Sequence, residues 1–196
     1  MLQVLDLSSS FLGPLSFKLR PRSITFLTGP SGSGKSLLMR ALADLDPHAG
    51  EIILEGENQR SYPPSRWRAM VGLLPANHAW WGDTVSASFP GASGTARPDL
   101  SPLGFNPETL NWDTERLSSG ESQRLACLRL LTLSPRLLLL DEPSANLDRH
   151  NTDLLETMIS EYLRETGAAV LWASHDQDQH GRLGGEVLTM AKGEIV

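Results

Sequence analysis

The sequence predicts an α/β fold built on a mainly parallel sheet, with an antiparallel β element near the N-terminus and a small inserted lobe. Three observations carry that expectation. Apolar runs of strand length alternate with stretches of helical apolar spacing, a glycine-rich turn separates an early strand from the first helix, and a Pro/Gly/Ser-rich stretch interrupts the alternation. A chain of 196 residues suits one domain, 1–196, with 77–116 as the short inserted lobe.

In order, Leu15, Phe17 and Leu19 share one face of an expected strand, and Ile24 to Leu27 form a second that ends at Thr28-Gly29. Leu37 to Leu45 has helical apolar spacing without Gly or Pro. Glu51 to Glu55 and Met70 to Leu74 read as strands, separated by a turn at Tyr62-Pro63-Pro64-Ser65. From Phe89 to Pro107 the residues Pro90, Gly91, Gly94, Pro98, Pro102, Gly104 and Pro107 disfavour a long helix. Periodicity returns with helices over Glu121 to Leu133 and His150 to Glu165 and buried strands over Leu137 to Leu140 and Ala168 to Ala173. A strand over Glu186 to Met190, a Lys192-Gly193 turn and a short return strand close the chain.

Composition excludes several classes. Forty per cent hydrophobic and 20 per cent charged residues describe an ordinary globular chain. No apolar run approaches the ~18 to 20 residues of a bilayer span, and Met1 to Ser10 lacks the pattern of a secretory signal. A cytosolic location is the expectation. Cys127 is the single cysteine, which rules out an internal disulfide and leaves a small buried apolar residue. Seventeen Lys and Arg against 23 Asp and Glu give a net charge of -6, and no basic cluster forms a duplex-binding footprint, so nucleic acid is not an expected partner.

Two motifs carry chemistry. Gly29-Pro30-Ser31-Gly32-Ser33-Gly34-Lys35-Ser36 fits G-x-x-x-x-G-K-S/T between a strand and a helix. Its glycines let successive N–H groups wrap phosphates, and the helix N-terminus adds its positive end. Lys35 would reach the β- and γ-phosphates, and the Ser36 hydroxyl would bind Mg²⁺. The second motif, Leu137-Leu138-Leu139-Leu140-Asp141-Glu142, is an apolar strand ending in two acids. It ends at the edge where a doubly wound sheet places its ligands. Asp141 would hold Mg²⁺ through its water shell, and Glu142 would polarise the attacking water.

These motifs are joined by Leu117-Ser118-Ser119-Gly120-Glu121 before a helix, Ser144-Ala145-Asn146-Leu147-Asp148 after the acids, and His175 after a strand. Together they make the chain resemble the ATPase subunits of ATP-binding cassette transporters. Trp81-Gly82-Asp83-Thr84-Val85 and Ala169 to Asp176 look most like the bacterial iron-exporter type. The resemblance implies a P-loop ATPase core, ATP and Mg²⁺ as ligands, and a head-to-tail homodimer with two sandwiched ATP molecules. It also implies a separate membrane permease that holds the chain peripherally on the inner face of the membrane. By the same resemblance, Ser118, Ser119, Gly120 and Glu121 contact the ATP of the partner copy, Asp148 communicates between the sites, and His175 contacts the γ-phosphate.

Taken alone, Ser118 to Glu121 is equally an N-cap arrangement and His175 a loop histidine. Phe11 either stacks on adenine, as the resemblance implies, or belongs to the core. Of Trp80 and Trp81, one projects outward as a protein contact or both pack within the lobe. Ser119 replaces the glycine usual in the family. Ala76 stands where the family has a glutamine that offers its carbonyl to Mg²⁺. The function expected is ATP hydrolysis driving a permease; the alternatives are a soluble regulator of weak hydrolysis and a cassette ATPase acting on ribosomes or DNA.

Overall fold

Leu137, Leu138, Leu139 and Leu140 are all fully buried, because this strand lies inside a sheet covered on both faces. In the computed structural model, which describes residues 1–90 and 98–196, the N-terminal half runs β1 (Leu2–Ser8), β2 (Leu15–Leu19), β3 (Ile24–Thr28), α1 (Lys35–Leu42), β4 (Ala49–Leu54), β5 (Glu57–Asn58), α2 (Pro64–Met70) and β6 (Val71–Leu74). The C-terminal half runs α3 (Ser119–Leu131), β7 (Leu137–Asp141), α4 (Arg149–Thr166), β8 (Ala169–Ala173), α5 (Gln177–Leu183), β9 (Glu186–Ala191) and β10 (Glu194–Ile195).

The larger sheet has the order β10-β9-β3-β8-β7-β6 and is parallel from β9 to β6. Only β10 runs antiparallel within it. A second sheet, β2-β1-β4-β5, is antiparallel throughout, as expected for the N-terminal element.

Side-chain alternation divides the core in two. Phe26, Leu138, Leu140, Val170 and Trp172 point into a cluster closed by α3 and α4. Leu27, Leu137, Leu139, Leu171 and Ala173 point the other way, toward α1, α2 and the antiparallel sheet. Trp67, fully buried on α2, donates its indole N–H to the Leu42 carbonyl at 2.9 Å and so fixes α2 against α1. Cys127 is buried in the first cluster, and burial pushes its thiol up to about 12.

The described residues of the 77–116 segment form 3-10 turns at Ser86–Ser88, Ser101–Leu103, Pro107–Asn111 and Thr114–Arg116. Val85, Phe89, Leu100, Leu103, Phe105 and Leu110 join it to the α3/α4 cluster. Gly91 and Gly94 lie outside the described residues.

Two local expectations need correction, and one helix is new. Tyr62-Pro63-Pro64-Ser65 is not only a turn, since Pro64 opens α2, where a missing N–H costs nothing. Met70 ends that helix instead of starting β6. The polar segment Gln177–Leu183, to which the sequence reading gave no element, forms α5 with Asp176 as its cap.

Candidate functional site

Because β3, β7 and β8 run parallel, the segments that follow them emerge at one edge of the sheet. A cleft of about 430 Å³ opens there. Its lining includes Gly32, Lys35 and Ser36 from the glycine loop, Asp141 and Glu142 after β7, and His175 after β8.

The loop from Gly29 to Gly34 is shaped by positions that need glycine. At Gly29, with φ +140°, an added Cβ would lie 2.1 Å from the Met190 carbonyl oxygen. Gly34, at φ +104°, serves as the N-cap of α1 without a side-chain cap bond, leaving the first N–H groups of the helix for another acceptor. The Ser33 hydroxyl is buried without a partner, while the Ser33 carbonyl accepts the Gly193 N–H at 2.9 Å. Lys35, buried at the start of α1, donates through Nζ to the carbonyls of Gly29 at 2.8 Å and Pro30 at 3.2 Å. The ammonium is thereby held over the loop, as a phosphate-binding lysine needs to be. Pro30 and Ser31 form the exposed crest of that loop.

Ser36 Oγ donates to Asp141 Oδ2 at 2.6 Å. A hydroxyl and a carboxylate at this spacing form an oxygen donor set of the kind that Mg²⁺ accepts alongside water and phosphate oxygens. Beside them, Glu142 Oε1 lies 3.0 Å from Nε2 of His175. Glu142 adopts φ +53°, uncommon for a non-glycine residue, with its N–H bound to the Ala173 carbonyl at 3.1 Å. The two adjacent carboxylates thus have different partners, His175 for Glu142 and Ser36 for Asp141.

Other expected site residues lie outside this lining. Ser118 caps α3: its hydroxyl accepts from the Glu121 N–H at 3.3 Å, and Glu121 Oε2 accepts from the Ser118 N–H at 2.9 Å. That backbone N–H holds the Glu121 carboxyl below its usual range. The N-cap reading of this segment is therefore correct in the single chain. Ser119 begins α3, and a Cβ added at Gly120 would lie 3.2 Å from Leu147 Cδ2 and 3.3 Å from the Asn146 carbonyl oxygen. Asp148 caps α4 by accepting the Asn151 N–H at 2.8 Å.

Phe11 is 73% exposed, which removes its core reading. It is tied to the glycine loop through its neighbours, since Leu12 and Gly193 both abut Gly34. Trp80 packs against the core and donates to Ser122 Oγ at 2.7 Å, whereas Trp81 is 69% exposed. The Arg129 guanidinium lies over both rings, 4.6 Å and 4.1 Å from their centroids. Ala76 lines the cleft with a methyl group, and Asn77 beside it also reaches the lining. The sequence reading assigned no role to Ala145 or Asn146, which complete the wall, although the turn residues after Glu142 were the available signal.

A glycine-cradled lysine, a serine–carboxylate pair and a carboxylate–histidine pair at the carboxyl edge of a parallel sheet define a P-loop ATPase. The ABC transporter family model matches residues 12–145. The chain is 34% identical over 181 residues to the probable iron export ATP-binding protein FetA of Escherichia coli, covering 87% of this chain and 80% of that one. It is 32% identical over 214 residues to the phosphate import ATP-binding protein PstB of Aeropyrum pernix, covering 93% and 81%. The solved structure of an ATP-binding subunit of an ABC transporter superposes with a TM-score of 0.86 at 21% identity, over 100% of this chain and 88% of that one. The chain belongs to the ABC transporter family and is an ATP-binding, ATP-hydrolysing transport subunit. Subunits of this kind work with membrane permease components, and no helix among the described residues is long and apolar enough to cross a membrane.

Proposed function

We propose that the chain hydrolyses Mg-ATP as one half of a head-to-tail homodimer seated on a separate permease at the inner face of the membrane. The observation that carries this reading is the meeting of the Ser36–Asp141 and Glu142–His175 pairs in one cleft at the mouth of the glycine loop. Lys35 exchanges its two carbonyl partners for the β- and γ-phosphates, with backbone N–H groups of residues 31–36 completing the cradle. Ser36 and Asp141 are the residues that would hold Mg²⁺, Asp141 through its water shell. The chemistry a cation would supply there is neutralisation of charge on the phosphate oxygens. Glu142 accepts the proton of the water that attacks the γ-phosphorus as the bond to the bridging oxygen breaks and ADP leaves. His175 orients Glu142 and contacts the γ-phosphate, while Phe11 stacks on adenine.

Ser118, Ser119 and Gly120 are assigned to the partner's ATP, for which a helix N-terminus is an apt anion site. Glu121 holds Ser118 in place for that contact. Asp148, exposed at the end of the turn that starts at Glu142, links the two sites. Light scattering on Glu142→Gln tests the pairing. The variant is expected to become dimeric in saturating Mg-ATP, and a variant that stays monomeric would contradict the sandwich.

A further inference from the structure

The two segments that carry Glu142 and His175 are joined behind the cleft by one side chain. Gln179 lies on α5, four residues after His175, and is fully buried; it is the one buried position of that helix. A leucine would satisfy such a position by packing alone. Instead the Gln179 amide donates to Ser144 Oγ at 3.2 Å and to Glu156 Oε1 at 2.9 Å. Glu156, itself buried on α4, accepts a second bond from Arg182 at 2.8 Å, so its charge is compensated. The amide orientation follows from chemistry, because an ionised carboxylate accepts and cannot donate.

Both ends of this link lead to the reacting groups. Ser144 belongs to the turn in which the Ala145 N–H returns to the Glu142 carbonyl at 3.3 Å. At the other end, the Gln179 backbone N–H donates to Asp176 Oδ1 at 3.1 Å, and Asp176 directly follows His175. We propose that Gln179 is a positioning residue for ATP hydrolysis, locking the Ser144 turn to the first turn of α5 so that Glu142 and His175 stay at 3.0 Å. Fixing such a pair needs buried partners, since small displacements of a proton-accepting group are costly to rate. The inference rests on the roles proposed above for Glu142 and His175.

The test compares kcat, KM and nucleotide affinity for the full chain and for Gln179→Met, Ser144→Ala and the exchange Gln179→Glu with Glu156→Gln. The exchange keeps the cluster charge and restores a donor–acceptor pair, and Ser144 can donate to the new carboxylate. Gln179→Met is expected to lower kcat roughly 10- to 100-fold, and Ser144→Ala about tenfold, with KM and nucleotide affinity nearly unchanged. The exchange is expected to recover most of the lost rate. Unchanged kcat in the single variants would overturn the inference, as would a parallel loss of kcat and nucleotide affinity with no recovery in the exchange. If Gln179→Met does not fold, Ser144→Ala decides alone. Glu142→Gln separates the two levels: if it still turns over, the underlying roles are wrong, whereas a silent Glu142→Gln beside a fully active Gln179→Met removes only Gln179.

Discussion

The Ser36 hydroxyl donates a 2.6 Å hydrogen bond to Oδ2 of Asp141, joining the first turn of α1 to the last residue of β7 across 105 positions of sequence. The bond sets a neutral hydroxyl and a negative carboxylate side by side at the cleft. Asp141→Asn keeps the shape and removes the charge. It is expected to raise the Mg²⁺ concentration for half-maximal ATPase activity by about tenfold or more, corresponding to a charged contact of ~1.5 to 3 kcal/mol. A Mg²⁺ titration of phosphate release checks this.

Lys35→Ala removes the ammonium now held by the Gly29 and Pro30 carbonyls. The lost charge-assisted contacts to phosphate predict an affinity for ATP at least about tenfold weaker. Calorimetry on the two proteins checks this, and equal affinities would refute the placement of Lys35 on the phosphates.

Ala76 presents a methyl group to the cleft, at the position where the family resemblance implies a glutamine. Water readily completes a Mg²⁺ shell, so the chain is expected to bind Mg-ATP and to hydrolyse it slowly. Ala76→Gln is expected to raise steady-state phosphate release. An original chain that is already fast, and unchanged by the substitution, would show that this ligand is not limiting.

The Ser118–Glu121 capping box predicts a pH dependence. The Glu121 carboxyl is held below its usual value, chiefly by the Ser118 N–H. Its stabilisation is therefore present above the unfolded-state value and is lost as pH falls through the lowered folded value. Discounted for solvent exposure, it amounts to at most about 1 kcal/mol. Glu121→Ala should lower the Tm at pH 7 by a few degrees, about 2 to 4 °C, and the gap should close in acid as the carboxyl protonates. Tm measured from neutral pH downward checks the closing.

The glycine loop and Asp141-Glu142 were legible in the sequence because each is contiguous and flanked by elements with clear apolar signals. Less local features were not. β1 carries Leu2, Val4 and Leu7 inward, but its pairing shifts register between Val4 and Leu7, where Asp6 takes φ +49°, and the period-two pattern breaks. The helix α5 turns a glutamine to the core and lacks an apolar stripe, so periodicity could not find it. The Gln179 link joins residues 23 and 35 positions apart, which only the packing of α4 and α5 beside the Ser144 turn reveals. Nor could Trp80 and Trp81 be separated by sequence, since what distinguishes Trp80 is its bond to Ser122 on α3 and its packing on the core.

The role proposed for Glu142 is to take the proton of the attacking water. Glu142→Gln preserves shape and cannot accept that proton, so it should bind Mg-ATP with nearly the original affinity and release phosphate at least about 100-fold more slowly. The direct measurement is steady-state phosphate release by the two proteins at saturating Mg-ATP, with nucleotide occupancy determined in the same samples. Full occupancy with a silent variant is the predicted result; a variant that hydrolyses ATP at the original rate would contradict the account.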